Sequence, residues 1–375
     1  MWKSWANFSL NRPLHNRVLH QITSVQEVLW GDTDLGKNTI IDIAQRAGVS
    51  SATVDRALNG RPGCSAANRQ RVLQAAKELG YLPFEGLVPL PSRPVHLEFF
   101  IPFPQNGFMR ELAQCLRNFA ATLPLVASCK VQMLEGFGPE TLIPALEGIS
   151  LRTGGLGLVA VDHPSIRAAL RRISESGVRV VTIATDVPAS KRAGYVGVDN
   201  AVAGRTAALL MGRLAGQKNG SVGLFLGSRA YHGHRAREDG FRAVLEQEFP
   251  DLTLLPAVET GENSDHSRSA LAAMMRRHAD LVGIYCIGAG RTGIAEALRA
   301  SGPAHRPCAI MHDLTDSTRL WLAEDLIDVV LDQNPQLVAE QAVIRLLGAI
   351  AASAPLLTQR DIEPRIVLRE NIPRR

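Results

Sequence analysis

Two sets of residues in this sequence have types and spacings that could do chemistry. The first is Thr39, Ser50, Ser51, Ala52, Thr53, Asp55, Arg56 and Asn59, all within one short stretch. Arg56 carries a fork of donors that fits the O6 and N7 of a guanine edge, a pairing that discriminates bases by about 1–3 kcal/mol. Ser50 and Thr53 can donate to phosphate oxygens. Asp55 would repel the phosphates or accept from a cytosine amine. The second set is dispersed: Phe103, Asn106, Phe108, Asp162, Asp186, Asp313 and Gln333 follow apolar runs, and Arg235 opens an amphipathic stretch. Carboxylates, amides and guanidinium offer planar partners to adjacent hydroxyls, and a phenyl face suits the C–H side of a sugar ring.

The first set needs a helix to present it. Ile40, Ile41, Ile43 and Ala44 form an apolar face at helical spacing, and Gly48 ends that helix. Ser50 stands where an N-cap belongs, for a second helix over Ser51–Leu58 that stops at Asn59-Gly60. Ser65 caps a third helix carrying Val72, Leu73, Ala76 and Leu79 before Gly80 closes it. A compact helix–turn–helix of this kind places its second helix in the DNA major groove, with Ser51, Ala52, Asp55 and Arg56 outward. Charge agrees: eight Lys/Arg against four acids between Lys37 and Arg93 supply +4 of the chain's +5.

The second set needs strand ends. Apolar runs of strand length recur from Val95 on: Val95–Ile101, Val131–Leu134, Leu156–Val161, Val178–Ala184, Val222–Leu226, Leu252–Val258, Leu281–Ile287, Cys308–Met311 and Ile327–Leu331. Amphipathic stretches lie between them, so βαβ units and parallel sheets are expected. About 280 residues exceed one doubly wound sheet, so two are expected, with ligand at the carboxyl ends of the strands. Residues 1–37 show no sustained period and are expected to be a disordered extension. The prolines Pro89, Pro91 and Pro94 make 84–94 an extended linker.

Five scattered cysteines, none in a CxxC pair, suit a reduced compartment and imply no zinc site. No apolar run approaches the ~18–20 residues of a membrane span, and the N-terminus lacks a signal-peptide pattern, so a cytoplasmic location is expected. Two patterns point elsewhere. Gly288–Gly293 satisfies GxGxxG after a strand, with Asp313 downstream, which keeps an NAD-dependent oxidoreductase as an alternative. That fingerprint belongs to the first βα turn of its domain, however, and here several units precede it. His232-x-His234 has metal-like spacing but no adjoining ligand set, and reads as a solvated loop.

The stretch Thr39, Ile40, Ile43, Ala44, Ala47-Gly48-Val49-Ser50, Thr53-Val54, Arg56-Ala57-Leu58-Asn59, Arg69, Val72, Ala75 and Leu79-Gly80-Tyr81 with Pro83 resembles the DNA-binding head of the lactose-repressor (LacI) family. That resemblance implies a helix-turn-helix head at 38–83 and a two-lobed periplasmic-binding-protein-like type I body at 95–375. Its lobes would fall near 95–198 and 199–326. Tyr195–Gly204 would be the first crossing between lobes and Asp332-Gln333-Asn334-Pro335 the last. It further implies operator DNA, a sugar or polyol effector and a homodimer or tetramer, with no enzymatic activity, cofactor or metal. A plain solute-binding protein is the other alternative. Ser51 and Ala52 occupy positions that vary among family members and set operator preference. Two departures stand out: Asp55 replaces a serine that contacts phosphate, and the proline-rich linker replaces a hinge helix. Arg235 stands at the start of HRAREDGF, similar to the ligand-binding helix of ribose-type binding proteins.

Overall fold

A computed structural model describes residues 39–58, 63–79, 91, 93–216, 219–288, 290–303, 306–351 and 362–374. The extension at 1–37, Asn59 and most of the linker at 84–94 lie outside the described residues. Two compact units divide the chain, a helical head and an α/β body.

In the head, α1 (Ile40–Ala47) begins with a capping box between Thr39 and Asp42. It ends at Gly48, whose φ of +64° is the left-handed turn that glycine adopts without steric cost. The chain re-enters helix at α2 (Ser51–Leu58), where Ser50 Oγ accepts from the Thr53 amide at 3.2 Å. Ser65 caps α3 (Ala66–Glu78) by accepting from the Asn68 amide at 3.2 Å. One apolar residue or more from each helix, Ile43, Val54, Val72 and Ala76, is fully buried in a shared core. Arg46 and Glu78 tie the first helix to the third at 2.8 Å.

The body holds two sheets. In the first lobe, β1 (Val95–Pro102), α4 (Gly107–Ala121), β2 (Val126–Leu134), α5 (Pro139–Glu147), β3 (Thr153–Leu158), α6 (Pro164–Glu175), β4 (Arg179–Ile183) and β5 (Gly194–Val196) alternate as expected. The strands run parallel in the order β2-β1-β3-β4-β5. The second lobe contains α7 (Asn200–Leu214), β6 (Gly220–Leu226), α8 (His232–Glu248), β7 (Leu252–Leu254), β8 (Val258–Glu259), α9 (Ser264–Arg277), β9 (Leu281–Cys286), α10 (Arg291–Ser301), β10 (Cys308–His312), α11 (Asp316–Ala323) and β11 (Val329–Asp332). The run expected as one strand over Leu252–Val258 is split, because Pro256 lies inside it and has no amide to donate.

Both faces of the second sheet are covered. Phe225, Ile284 and Met311 pack on one side, while Leu224, Tyr285 and Ile310 pack on the other. Period-two alternation with both faces apolar is what a buried parallel sheet requires.

The last crossing was expected at Asp332–Pro335, and the chain corrects that. After it, α12 (Pro335–Ala351) returns to the first lobe and buries Val338, Ala342 and Leu346 in that core. The chain then appears again on the second sheet as β12 (Arg365–Val367), antiparallel to β11. Ile362 bridges Val198 beside the first crossing. A three-residue edge strand closes the exposed side of β11 but is too short to show as a period in the sequence.

Candidate functional site

The head offers the exposed face of α2. Ser51, Ala52 and Arg56 are exposed, Thr53 and Asp55 are half-buried, and Val54 and Ala57 turn inward to the core. Hydroxyls at the helix starts are engaged in capping: Thr39 Oγ1 donates to Asp42 Oδ2 at 2.7 Å, and Ser50 Oγ lies 2.9 Å from Thr53 Oγ1. Bonds from the backbone and hydroxyl of Thr39 hold the Asp42 carboxyl below the usual range.

The body offers a cleft where the carboxyl ends of the two sheets face each other. Each sheet reverses strand order beside its first strand, at β1/β3 and at β6/β9, and ligands of open α/β sheets bind at such points. Six described non-glycine residues have positive φ, and five of them follow strand ends: Phe103, Ala184, Glu262, Asp313 and Asn334. Such backbone costs about 1–3 kcal/mol per residue and gathers at functional sites. An outer cleft of about 670 Å³ is bordered by Gln105, Asn106, Arg110, Glu262, Ser264 and Asp316. An inner chamber of about 50 Å³ shares Phe103, Asn106 and Glu262 with it.

Aromatic rings join the lobes across this space. Phe103 lies 5.3 Å from Phe137, Phe137 lies 5.2 Å from Tyr231 of the second lobe, and Tyr231 lies 5.1 Å from His234. The Gly233 amide, in the first turn of α8, donates to Thr185 Oγ1 of the first lobe at 3.0 Å. At Gly107 the lobes approach so closely that a Cβ there would lie 3.0 Å from Thr315 Cγ2.

Of the residues expected to bind ligand, Phe103, Asn106, Phe108 and Gln333 line these cavities. The three aspartates do not, because each is held in an ion pair. Asp162 takes both arms of Arg167 at 2.6 Å, which hold its carboxyl below the usual range against the pull of burial. Asp186 is pushed up by burial, yet bonds from Arg192, Thr182 and the Val187 amide outweigh this and keep it low. Asp313 is buried against Arg291 at 2.6 Å and accepts from Gln333 Nε2 at 2.7 Å. Asn106 also caps α4 by accepting from the Phe108 amide at 3.0 Å.

Arg235 is exposed, whereas Arg237 lines the chamber. Two residues along a helix is a turn of about 200°, so the two guanidiniums face opposite ways. Arg237 Nε donates to Asn200 Oδ1 at 2.7 Å and Nη1 to the Ile287 carbonyl at 3.1 Å. Arg237, Tyr231, Thr185 and Glu262 were not among the expected residues. Gly233 is the residue of α8 that reaches the first lobe, and one turn of about 3.6 residues on from it falls at Arg237 rather than Arg235.

His232 and His234 are not loop residues but open α8, and His234 packs on Tyr231. Desolvation, with Arg237 nearby, pushes the His234 imidazole down to about 3. Among the described residues no cluster of three His, Cys, Asp or Glu could hold a metal. The glycines of Gly288–Gly293 have packing reasons. Gly290 has φ +84°, and a Cβ at Gly293 would lie 1.8 Å from the Ser264 carbonyl, so α9 and α10 could not pack as they do. The acid downstream, Asp313, is already paired with Arg291. No helix among the described residues is long and apolar enough to cross a membrane.

Comparison with known proteins addresses both units. A family model described as bacterial regulatory proteins, lacI family, matches residues 39–83, and one described as periplasmic binding protein domain matches residues 97–352. An HTH-type transcriptional regulator of Lachnoclostridium phytofermentans is 52% identical over 44 residues, 12% of this chain and 13% of that relative's length. An uncharacterized HTH-type transcriptional regulator in the aml 5' region of Streptomyces limosus is 27% identical over 342 residues, 88% of this chain and 93% of that one. Among solved structures, GanP, a glucose-galactose binding protein from Geobacillus stearothermophilus, superposes with a TM-score of 0.68 at 18% identity, covering 75% of this chain and all of that one. At that identity the likeness shows the fold.

Proposed function

The chain belongs to the lacI family of bacterial regulatory proteins and, over its body, to the periplasmic binding protein domain family, and on that premise we propose that it is a ligand-responsive transcriptional regulator. The head binds operator DNA through the exposed face of α2, with Arg56 reading a base edge and Ser51 and Ala52 setting preference. Ser50, Thr53 and Thr39 lie where hydroxyls can meet phosphates, and Asp55 selects against some operators. A homodimer presents two heads to a pseudo-palindromic site.

In the body, a small sugar or polyol binds between the lobes. One observation carries this reading: strained strand ends from both sheets converge on a cleft in which two buried polar atoms, Tyr231 OH and Gln333 Oε1, have no partner among the described residues. Buried polar atoms are normally satisfied, so these two are placed to meet a ligand. Ligand closes the lobes by binding one arrangement more tightly than the other, and that differential affinity is what alters operator binding. Relief of repression of carbohydrate uptake or catabolism genes is the expected outcome.

A gel-shift titration of the full chain against the DNA upstream of its own gene tests the head. A sequence-selective complex that weakens steeply with salt is expected, and Arg56→Ala should lose selectivity while melting normally. A complex indifferent to sequence would end the regulator reading.

A further inference from the structure

Six polar side chains besides Glu262 line the inner chamber, and the protein itself uses most of their hydrogen-bonding groups. Asn106 Oδ1 caps α4 by accepting from the Phe108 and Met109 amides at 3.0 and 3.4 Å. Thr185 Oγ1 accepts from the Gly233 amide at 3.0 Å, and His234 Nδ1 lies 3.1 Å from the Ser228 carbonyl. Arg237 gives two of its donors to Asn200 and to the Ile287 carbonyl. Tyr231 OH and Gln333 Oε1 are the buried atoms of this lining without a partner among the described residues. Gln333 Nε2 is held by Asp313, so Oε1 faces the chamber as an acceptor only.

Glu262 stands apart by its position. It borders both the inner chamber and the outer cleft, is half-buried, and follows β8 on a backbone with φ of +66°. From there its side chain reaches over the carboxyl ends of β6 and β9, the switch point of the second sheet. A Cβ at Gly227, directly after β6, would lie 1.6 Å from Glu262 Oε1, and one at Gly288, beyond the end of β9, 3.1 Å from it. Glycine at both positions therefore gives the carboxylate its place, which assigns a role to the first glycine of the GxGxxG pattern. Burial, and after it the charge of Glu262, push the Tyr231 phenol well above its ordinary value, so that charge is felt inside the chamber. A carboxylate has about four acceptor sites, and bonds within the protein leave capacity for a ligand. The three strand-end aspartates, by contrast, are committed to Arg167, Arg192 and Arg291.

We propose that Glu262 is the specificity-determining residue of the cleft: its carboxylate accepts from two adjacent hydroxyls of a sugar or polyol, while Gln333 Oε1 takes a further donor within the chamber. This rests on the reading of the body as a sugar-responsive cleft. The effector is then a compound with a vicinal diol, and loss of either hydroxyl of that pair leaves a carboxylate acceptor without its donor. A hydrogen bond to a charged group is worth about tenfold to a hundredfold in affinity.

Calorimetric titration of the full chain with D-glucose, D-galactose, D-xylose, L-arabinose, D-ribose and myo-inositol finds the tightest binder, and its monodeoxy analogues map the hydroxyls. Two adjacent deoxy positions should each cost the native chain about tenfold or more. Glu262→Gln keeps the side chain's length but turns one acceptor into a donor, and should weaken the tightest binder about tenfold or more with melting unchanged. In that variant the same two deletions should cost less than about threefold, a coupling that a merely structural role would not produce. Glu262→Asn, which tolerates the positive φ, draws the group back by one methylene and should show the same pattern if the glutamine variant does not fold. Undiminished affinity in these variants, deoxy losses of equal size in variant and native chain, or no adjacent pair of costly deletions in the native chain overturns the proposal while leaving the cleft reading intact. Failure of all six compounds to bind overturns both.

Discussion

In the first lobe β1 lies between β2 and β3, and in the second β6 lies between β7 and β9, so one topology builds both sides of the cleft. What they bring to it differs. The first lobe contributes mostly hydrocarbon at the chamber wall, from Phe103 to Ala184. The second contributes the polar and titratable groups Arg237, His234, Glu262 and Tyr231. Each lobe also pins a strand-end aspartate with an arginine, but to a different depth. The Arg291–Asp313 side chains are 7% and 9% exposed, against 21% and 14% for Arg192–Asp186. A shared fold therefore fixes where the crevice lies, while side chains decide which wall recognises and which wall excludes.

The largest expected effect tests that difference in depth. Arg291→Met should cost about 3–5 kcal/mol in urea denaturation, because it leaves the buried Asp313 carboxylate without its cation and the His312 carbonyl without its donor. Arg192→Met should cost less, about 1.5–3 kcal/mol, since water can reach Asp186 in part. Equal costs would remove the distinction between the lobes.

A pH series sharpens it next. His234 is neutral when folded, with its pKa near 3 against about 6.5 unfolded, so the unfolded chain binds more protons between those values. Stability should then fall as pH drops below about 6.5, by roughly 2 kcal/mol at pH 5. His312, buried 2.6 Å from the Tyr285 hydroxyl and held well below its ordinary value by desolvation and Arg237, acts in the same sense. His234→Gln should flatten that part of the profile, and an unchanged profile would show that the imidazole is not desolvated as described.

A smaller effect concerns where the lobes meet. Gly107→Val sets a side chain against Thr315 and should hold the cleft apart. Sugar affinity should fall about tenfold with melting little changed. Undiminished affinity would mean that this contact does not limit closure.

Much of the head was legible because its determinants are local. Thr39, Gly48 and Ser50 are each within a turn of the backbone they cap, and Ile43 and Val54 fall on faces that periodicity reveals. The alternation of strands and helices in the body was legible for the same reason. Which strand-end side chains face the cleft was harder to read. Asp162 and Asp186 are taken by arginines five and six residues on, a pairing that sequence spacing hints at without settling. Asp313 is taken by Arg291 from another βα unit, which only the packed sheet brings near. Arg235 and Arg237 differ only in helical phase, and that depends on where α8 begins.

The coupling of cleft to DNA is the central claim, and fluorescence anisotropy of the full chain on labelled upstream DNA tests it most directly. With a panel of monosaccharides and polyols added in turn at fixed salt, at least one should change operator affinity fivefold or more. Gly107→Val should need about tenfold more of that sugar for the same change. Sugar binding that is saturable by calorimetry yet leaves operator affinity untouched would contradict the account.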